Sequence, residues 1–310
     1  MLKLAITFGL AASIVTGLTI ERQARAGSLP ASSFCDQSPA SSFPARSPTA
    51  ASGTELLKSL AAVGDDEREA AIRRELLAGN IPQFLRRLQP VTLDGAPGAG
   101  SPTRITVCVM PDYLALGSDE DFLLIPMRLE TALDVASRHG FMLPTPKMVD
   151  AIYAQAAVHL DPQPLPASDA MRSTGYYRHH NELVREQRVA AGAAEGVLTS
   201  GDKKDLVLTN RLWRNLDRVA IYGWHRRDGN PIQPLSTVHG WHYADYSHGV
   251  RLVSDTILVN DAPQSLRQAL QDSRLAAMLS SEGVIPRLVQ LIDTLRQPRV
   301  TGVLAQLAPQ

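Results

Sequence analysis

The spacing of apolar residues changes period along this chain, and that change is the first clue to its fold. From Thr54 the aliphatic positions Leu56, Leu57, Leu60 and Ala61 recur at helical spacing, with Thr54 read as the N-cap. A second helix is expected from Asp65 to Ala78. Ala71, Ile72, Leu76 and Leu77 form its apolar stripe, acids crowd its first turn, and Gly79-Asn80 ends it. Ile81-Pro82 then opens a short amphipathic turn through Phe84, Leu85 and Leu88. Beyond the glycine-rich turn Gly95–Gly100 the period becomes two. Ile105, Val107 and Val109 alternate with Arg104, Thr106 and Cys108, the pattern of a half-buried strand.

Asp121–Met127 is a second strand candidate, with the acidic GSDED before it read as a turn because its spacing misses a calcium loop. Helices are expected over Glu130–Arg138, over Thr145–Val158 with Pro146 at its first position, and over Asn181–Ala190. The proline-stiffened Asp161–Ala167 connects them. Strands are expected at Leu206–Leu208, Val219–Tyr222 and Val250–Val259, and closing helices at Leu266–Leu279 and Val284–Leu295. Without regular strand–helix alternation, this reads as α+β: a mainly antiparallel sheet flanked by helices, in a single domain.

The first residues change the picture of where the protein works. Lys3, the uncharged run Leu4–Ile20 and Ala24-Arg25-Ala26 match a secretory signal peptide over residues 1–26. The protein is therefore expected to be exported, periplasmic or extracellular, with no stable membrane span after cleavage. Residues 27–53, rich in Ser, Pro and Ala, are expected to be a disordered leader, and 54–310 the folded domain. Export permits a disulfide between Cys35 and Cys108, the two cysteines of the chain; bonded and free readings both stand at this point. With 31 basic and 31 acidic residues the charge balances, so no basic surface argues for nucleic acid.

Candidate chemistry collects in residues 222–251, YGWHRRDGNPIQPLSTVHGWHYADYSHGVR, which carries four of the eight histidines and two of the three tryptophans. Imidazoles are common ligands of zinc and related ions, so His225, His239, His242 and His248 are the candidate metal set, and a divalent metal is the candidate cofactor. On an extended strand, however, His242 and His248 would stand about 20 Å apart. Acid–base chemistry without metal needs less convergence. His225, His239, Asp245, Ser247 and His248 are the candidate catalytic residues, and Ser247 would need a base from another strand, His225 or His239. Tyr222, Trp224, Trp241 and Tyr246 would line a cleft with Arg251. His180, Lys204 and Asp205 would stand nearby, the last two in the charged run Asp202–Asp205 before a strand.

The stretches GNIPQFLRRLQPV, PDYLALGSDEDFLLIPM, MLPTPKMVDAIYAQA and IYGWH…PIQPL…DYSHGVRLV resemble a set of bacterial exported proteins without an assigned function. In that set Gly-His precedes the lysine pair; here Gly201 is followed by Asp202, while Lys203, Lys204 and Asp205 match. The resemblance implies a single-domain exported protein and no substrate. The residues themselves support an expectation of a hydrolase acting on a peptide or glycan polymer of the envelope or extracellular space. The rival is a non-catalytic binder of glycan or cell-wall fragments, using the Trp and Tyr platform; the expected partner is a polymer or small-molecule ligand in the envelope.

Overall fold

Residues 31–36, 42–96 and 100–297 are described by a computed structural model of the chain. The first domain helix runs Gly53–Ala61 and is capped by Ser52, not Thr54. The Ser52 hydroxyl accepts from the Glu55 N–H while the Glu55 carboxylate accepts from the Ser52 N–H. Asp65–Leu77 follows as expected, and Pro146–Gln155 starts on the Thr145 side chain with Pro146 in its first turn. Thr174–Ala190 begins seven residues before the expected Asn181, on a Ser173 cap, because Tyr177, His180 and Val184 continue one buried face toward its N-terminus.

Two main sheets carry the fold. In the first, Gln89–Gly95, Thr103–Val109, Val253–Val259 and Ala262–Ser265 lie side by side, with Phe141–Met142 also paired to Val253–Val259; every pairing is antiparallel. The second has the order Pro231–Ser236, Ile221–His225, Lys204–Leu206 and His248–Gly249, the last pair parallel. The expected α+β architecture with mainly antiparallel strands is thus observed. Two strands, Gln89–Gly95 and Pro231–Ser236, carry too few alternating apolar residues to be visible in the sequence. Each is an edge strand containing proline, whose missing N–H an edge tolerates.

Arg251 lies on the short segment between the strands His248–Gly249 and Val253–Val259, which belong to different sheets. Its guanidinium is fully buried, donates to the Met110 and Thr199 carbonyls at 2.9 and 2.6 Å, and lies 4.4 Å from the centre of the Tyr113 ring. This corrects its expected role in substrate binding: the side chain is consumed by backbone carbonyls in the interior.

The leader needs a correction too, over the part described. Ala31–Asp36 is helical and packs against the strand Gln89–Gly95, and Cys35 is bonded to Cys108. Phe43 is buried with its ring stacked 3.9 Å from His139. The disulfide, the Phe43 ring and hydrogen bonds such as those from Arg86 to the Phe43 and Pro44 carbonyls hold a stretch whose composition alone would not fold. The expected signal peptide, residues 1–26, lies outside the described residues. No helix among the described residues is long and apolar enough to cross a membrane.

Candidate functional site

The strand Lys204–Leu206 is the axis of the site. On one side Lys204 and Asp205 face His248 and Gly249 in parallel register; on the other they face Gly223 and Tyr222. The two flanks bring the His/aromatic block onto the lysine pair, although the sequence separates them. Gly249 is required at its position: a Cβ there would stand 2.6 Å from Tyr113 Cδ1 and 2.7 Å from Lys203 Cβ. Gly223 (φ 104°) and Trp224 (φ 58°) both take positive φ, which is costly for a bulky residue.

The turn Asp245–His248 closes on itself. Asp245 Oδ1 accepts from the Ser247 N–H at 2.8 Å and from the Ser247 hydroxyl at 2.6 Å, and the His248 N–H donates to the Asp245 carbonyl at 3.0 Å. Ser247 therefore donates its proton to a carboxylate within the turn. No imidazole serves it, so the nucleophile reading of Ser247 is not supported. Asp245 Oδ2 lies 4.0 Å from His248 Nε2. The His248 ring is fully buried, with neither nitrogen hydrogen-bonded to another described residue.

Charges around this pair are graded by burial. Burial pulls His248 down to about 4, against the opposing pull of Asp245, so the imidazole is neutral near pH 7. Burial pushes Asp245 up, but His248, the Ser247 hydroxyl and Lys204 outweigh it and leave the carboxyl at about 2. His239 is lowered by burial and stacks on Tyr243 at 4.0 Å, its ring 6.3 Å from that of His248. Burial and the Asp245 carboxylate raise Tyr243. His239, Tyr243 and Lys204 are only partly buried, so they form the open side of the cluster.

Beneath the turn, Lys203 is buried and donates to the Tyr246 carbonyl at 2.6 Å and to His180 Nδ1 at 3.1 Å, leaving the His180 proton on Nε2. Burial lowers Lys203 to about 8, while Asp202, Asp245 and Asp112 pull the other way. Asp202 is buried with both carboxylate oxygens unpartnered, and Asp112 pairs with Arg188. On the far side of the strand, Asp205 accepts from the Tyr113 hydroxyl at 3.0 Å, and burial raises its carboxyl to about 7.

Several candidates lie elsewhere. His225 Nε2 donates to Asp150 Oδ1 at 3.0 Å, and its ring stacks on Tyr153 at 4.5 Å; Tyr222 donates to the same oxygen at 2.8 Å. They form a second cluster on the helix Pro146–Gln155, apart from the Asp245 turn. Tyr246 is buried, and its hydroxyl is held by the Leu165 N–H at 2.7 Å. Trp224 is buried too, so neither offers an open platform. Trp241 and His242 lie against one another with their rings tilted by 30° and, with Tyr243, Arg172, Asp217, Arg218 and Gly240, line an open depression of about 410 Å³.

A metal fits this arrangement poorly. His225 belongs to the Asp150 cluster, and His242 is exposed near Asp66, Arg128 and Arg172. Among the described residues, no group of three or more His, Cys, Asp or Glu side chains is placed to hold an ion. The candidate set His225, His239, His242 and His248 is thus dispersed, and Lys204 adds a positive charge beside two of its members.

Residues that the spacing did not single out include Lys203 as the anchor of the turn, Asp150 as the partner of His225, and the Asp112–Arg188 pair. Asp150 and His225 are 75 positions apart, and nothing local marks them as partners. Comparison of the chain with family models, curated proteins and solved structures found no match.

Proposed function

We propose that this protein is an exported hydrolase of an envelope or extracellular polymer, peptide or glycan, and that His248 and Asp245 are its acid–base pair. One observation carries the reading: a fully buried imidazole, neither of whose nitrogens is hydrogen-bonded to a described residue, stands 4.0 Å from a carboxylate held ionised. A buried polar group without a partner is costly, so its persistence argues for a transient partner. A neutral imidazole can take a proton from an attacking hydroxyl, and the carboxylate stabilises the imidazolium that results. The Cys35–Cys108 bond favours export, because such bonds persist in oxidising compartments.

Mature protein incubated with purified sacculi, casein and a polysaccharide panel is expected to release soluble fragments from at least one of them. His248→Gln and Asp245→Asn should each lower kcat by about a hundredfold or more while thermal unfolding stays cooperative. Full activity in both folded variants would remove the assignment.

The binding reading is favoured by the depression lined by Trp241, His242 and Tyr243. There Trp241→Ala should abolish retention on the polymer while His248→Gln leaves it intact.

A further inference from the structure

The strand Gln89–Gly95 is an edge of the first sheet, and one part of that edge is open. Its register against Thr103–Val109 runs unbroken, so successive residues turn their backbone groups alternately toward the partner strand and away from it. Thr92 turns them away. Its N–H donates to Gln155 Oε1 at 2.9 Å, and its carbonyl accepts from Gln155 Nε2 at 2.8 Å. One carboxamide thus stands where a peptide unit of a neighbouring strand would. Asp94, two residues on, has the same orientation. Arg104, opposite Asp94 in the register, agrees: its N–H and carbonyl are engaged by Asn260, on the other side of Thr103–Val109. No described residue takes the outward N–H or carbonyl of Asp94, whose side chain is bonded to Arg104.

This stretch of edge lines a depression of about 700 Å³, within the size range of ligand sites. The helix Pro146–Gln155 supplies another wall with Lys147, Asp150, Ala151 and Ala154. Both ends of the open edge are stopped. Gln155 brackets Thr92 at one end. At the other, Met278 sits against Gly95, where an added Cβ would stand 3.3 Å from Met278 Cε. A strand running along the edge meets one stop or the other, so the opening suits the end of a chain.

The fixed carboxylate in the wall selects which end. Asp150 Oδ1 accepts from the Tyr222 hydroxyl at 2.8 Å and from His225 Nε2 at 3.0 Å, while no described residue is bonded to Oδ2. The Asp150 side chain is half exposed. Lys147, one turn earlier on the helix, gives its ammonium to the Ala277 carbonyl at 2.6 Å and not to Asp150. A carboxylate oxygen only accepts, so what it binds must be a donor, and a cationic donor binds best.

We propose that this depression is a peptide-binding site: the amino-terminal ammonium of an extended peptide donates to Asp150 Oδ2, and its first amide adds to the edge at Asp94. Tyr222 and His225 are positioning residues that aim the carboxylate. The site stands apart from the Asp245 turn and does not rest on the hydrolase reading.

The probe is tetraalanine amide, titrated into protein with isotope-labelled aspartate amides and followed by NMR. Loss of one signal in Asp94→Asn assigns the Asp94 amide. That signal is expected to shift with the free-amine peptide, and to stay in place with its N-acetyl form and with butylamine. Asp150→Asn keeps an acceptor for Tyr222 and His225 but removes the charge, and should weaken binding about tenfold or more. Ala154→Leu, at an exposed position of the same wall, should abolish it. A signal that ignores the free-amine peptide overturns the site. Equal shifts with the acetylated peptide, or native affinity in folded Asp150→Asn, overturn the ammonium contact and the proposal with it. An equal shift with butylamine overturns the pairing at the edge. Native affinity in Ala154→Leu places the peptide elsewhere and overturns the site even if Asp150→Asn fails to fold.

Discussion

Single residues here are governed by what burial does to their charge. Asp205 is raised from 3.8 to about 7 by burial. Between about pH 4 and 7 the unfolded chain has lost this proton while the folded chain keeps it, so this group lowers stability as pH rises through that window. His248 acts in the opposite sense. Its folded value of about 4 lies below 6.5, so between those values the unfolded chain gains a proton that the folded chain refuses, and stability is lost as pH falls. The two windows overlap and partly cancel in the native protein. Asp205→Asn should therefore gain stability relative to the native chain as pH rises from about 4 to 7, by on the order of a few kcal/mol. His248→Gln should gain relative stability as pH falls from 6.5 to 4. Denaturant midpoints measured against pH check both; parallel curves for all three proteins would contradict the burial argument. Residue types announced this chemistry only in part. His248 and Asp245 were legible as titratable neighbours, but Arg251 carries the same composition signal and is buried with its two terminal nitrogens on backbone carbonyls.

At the scale of elements, the parallel pair His248–Gly249 on Lys204–Leu206 decides whether a site exists at all. Its close approach depends on Gly249. Gly249→Ala would force the new methyl onto Tyr113 and Lys203, and should cost about 1–3 kcal/mol and lower activity with it. Gly240→Ala is the control, since nothing lies within 4 Å of a Cβ there. A melting temperature for Gly249→Ala equal to that of Gly240→Ala would mean that the strand can shift freely. The helices Asp65–Leu77 and Pro146–Gln155 were readable to within a few residues because their signals, acids in the first turn of one and Thr145-Pro146 at the start of the other, are local. Leu266–Leu279 was read as one helix, yet it breaks into Leu266–Ala269 and Ala276–Leu279, a break that the apolar spacing alone did not reveal.

For the molecule as a whole, the Cys35–Cys108 bond joins an N-terminal helix to the first sheet across 73 positions. Closing a loop of that length restricts the unfolded chain, and its removal should cost about 4 kcal/mol. Chemical unfolding of Cys35→Ser/Cys108→Ser beside the native protein measures this. An unchanged midpoint would mean that Phe43 and its stack on His139 hold the segment without the bond.

What the sequence determined alone is what depends on neighbours a few positions away: helical stripes, the alternation in Thr103–Val109, and the concentration of histidine and aromatic residues between Tyr222 and Arg251. The tertiary structure decided which of those groups meet. Hydrogen bonds, ion pairs and burial act over a few ångströms in space, whatever the separation in sequence. It placed Lys203 under the Asp245 turn, gave His225 to Asp150, dispersed the candidate metal set, and left the His248 ring nitrogens and Trp224 Nε1 without a hydrogen bond to any described residue.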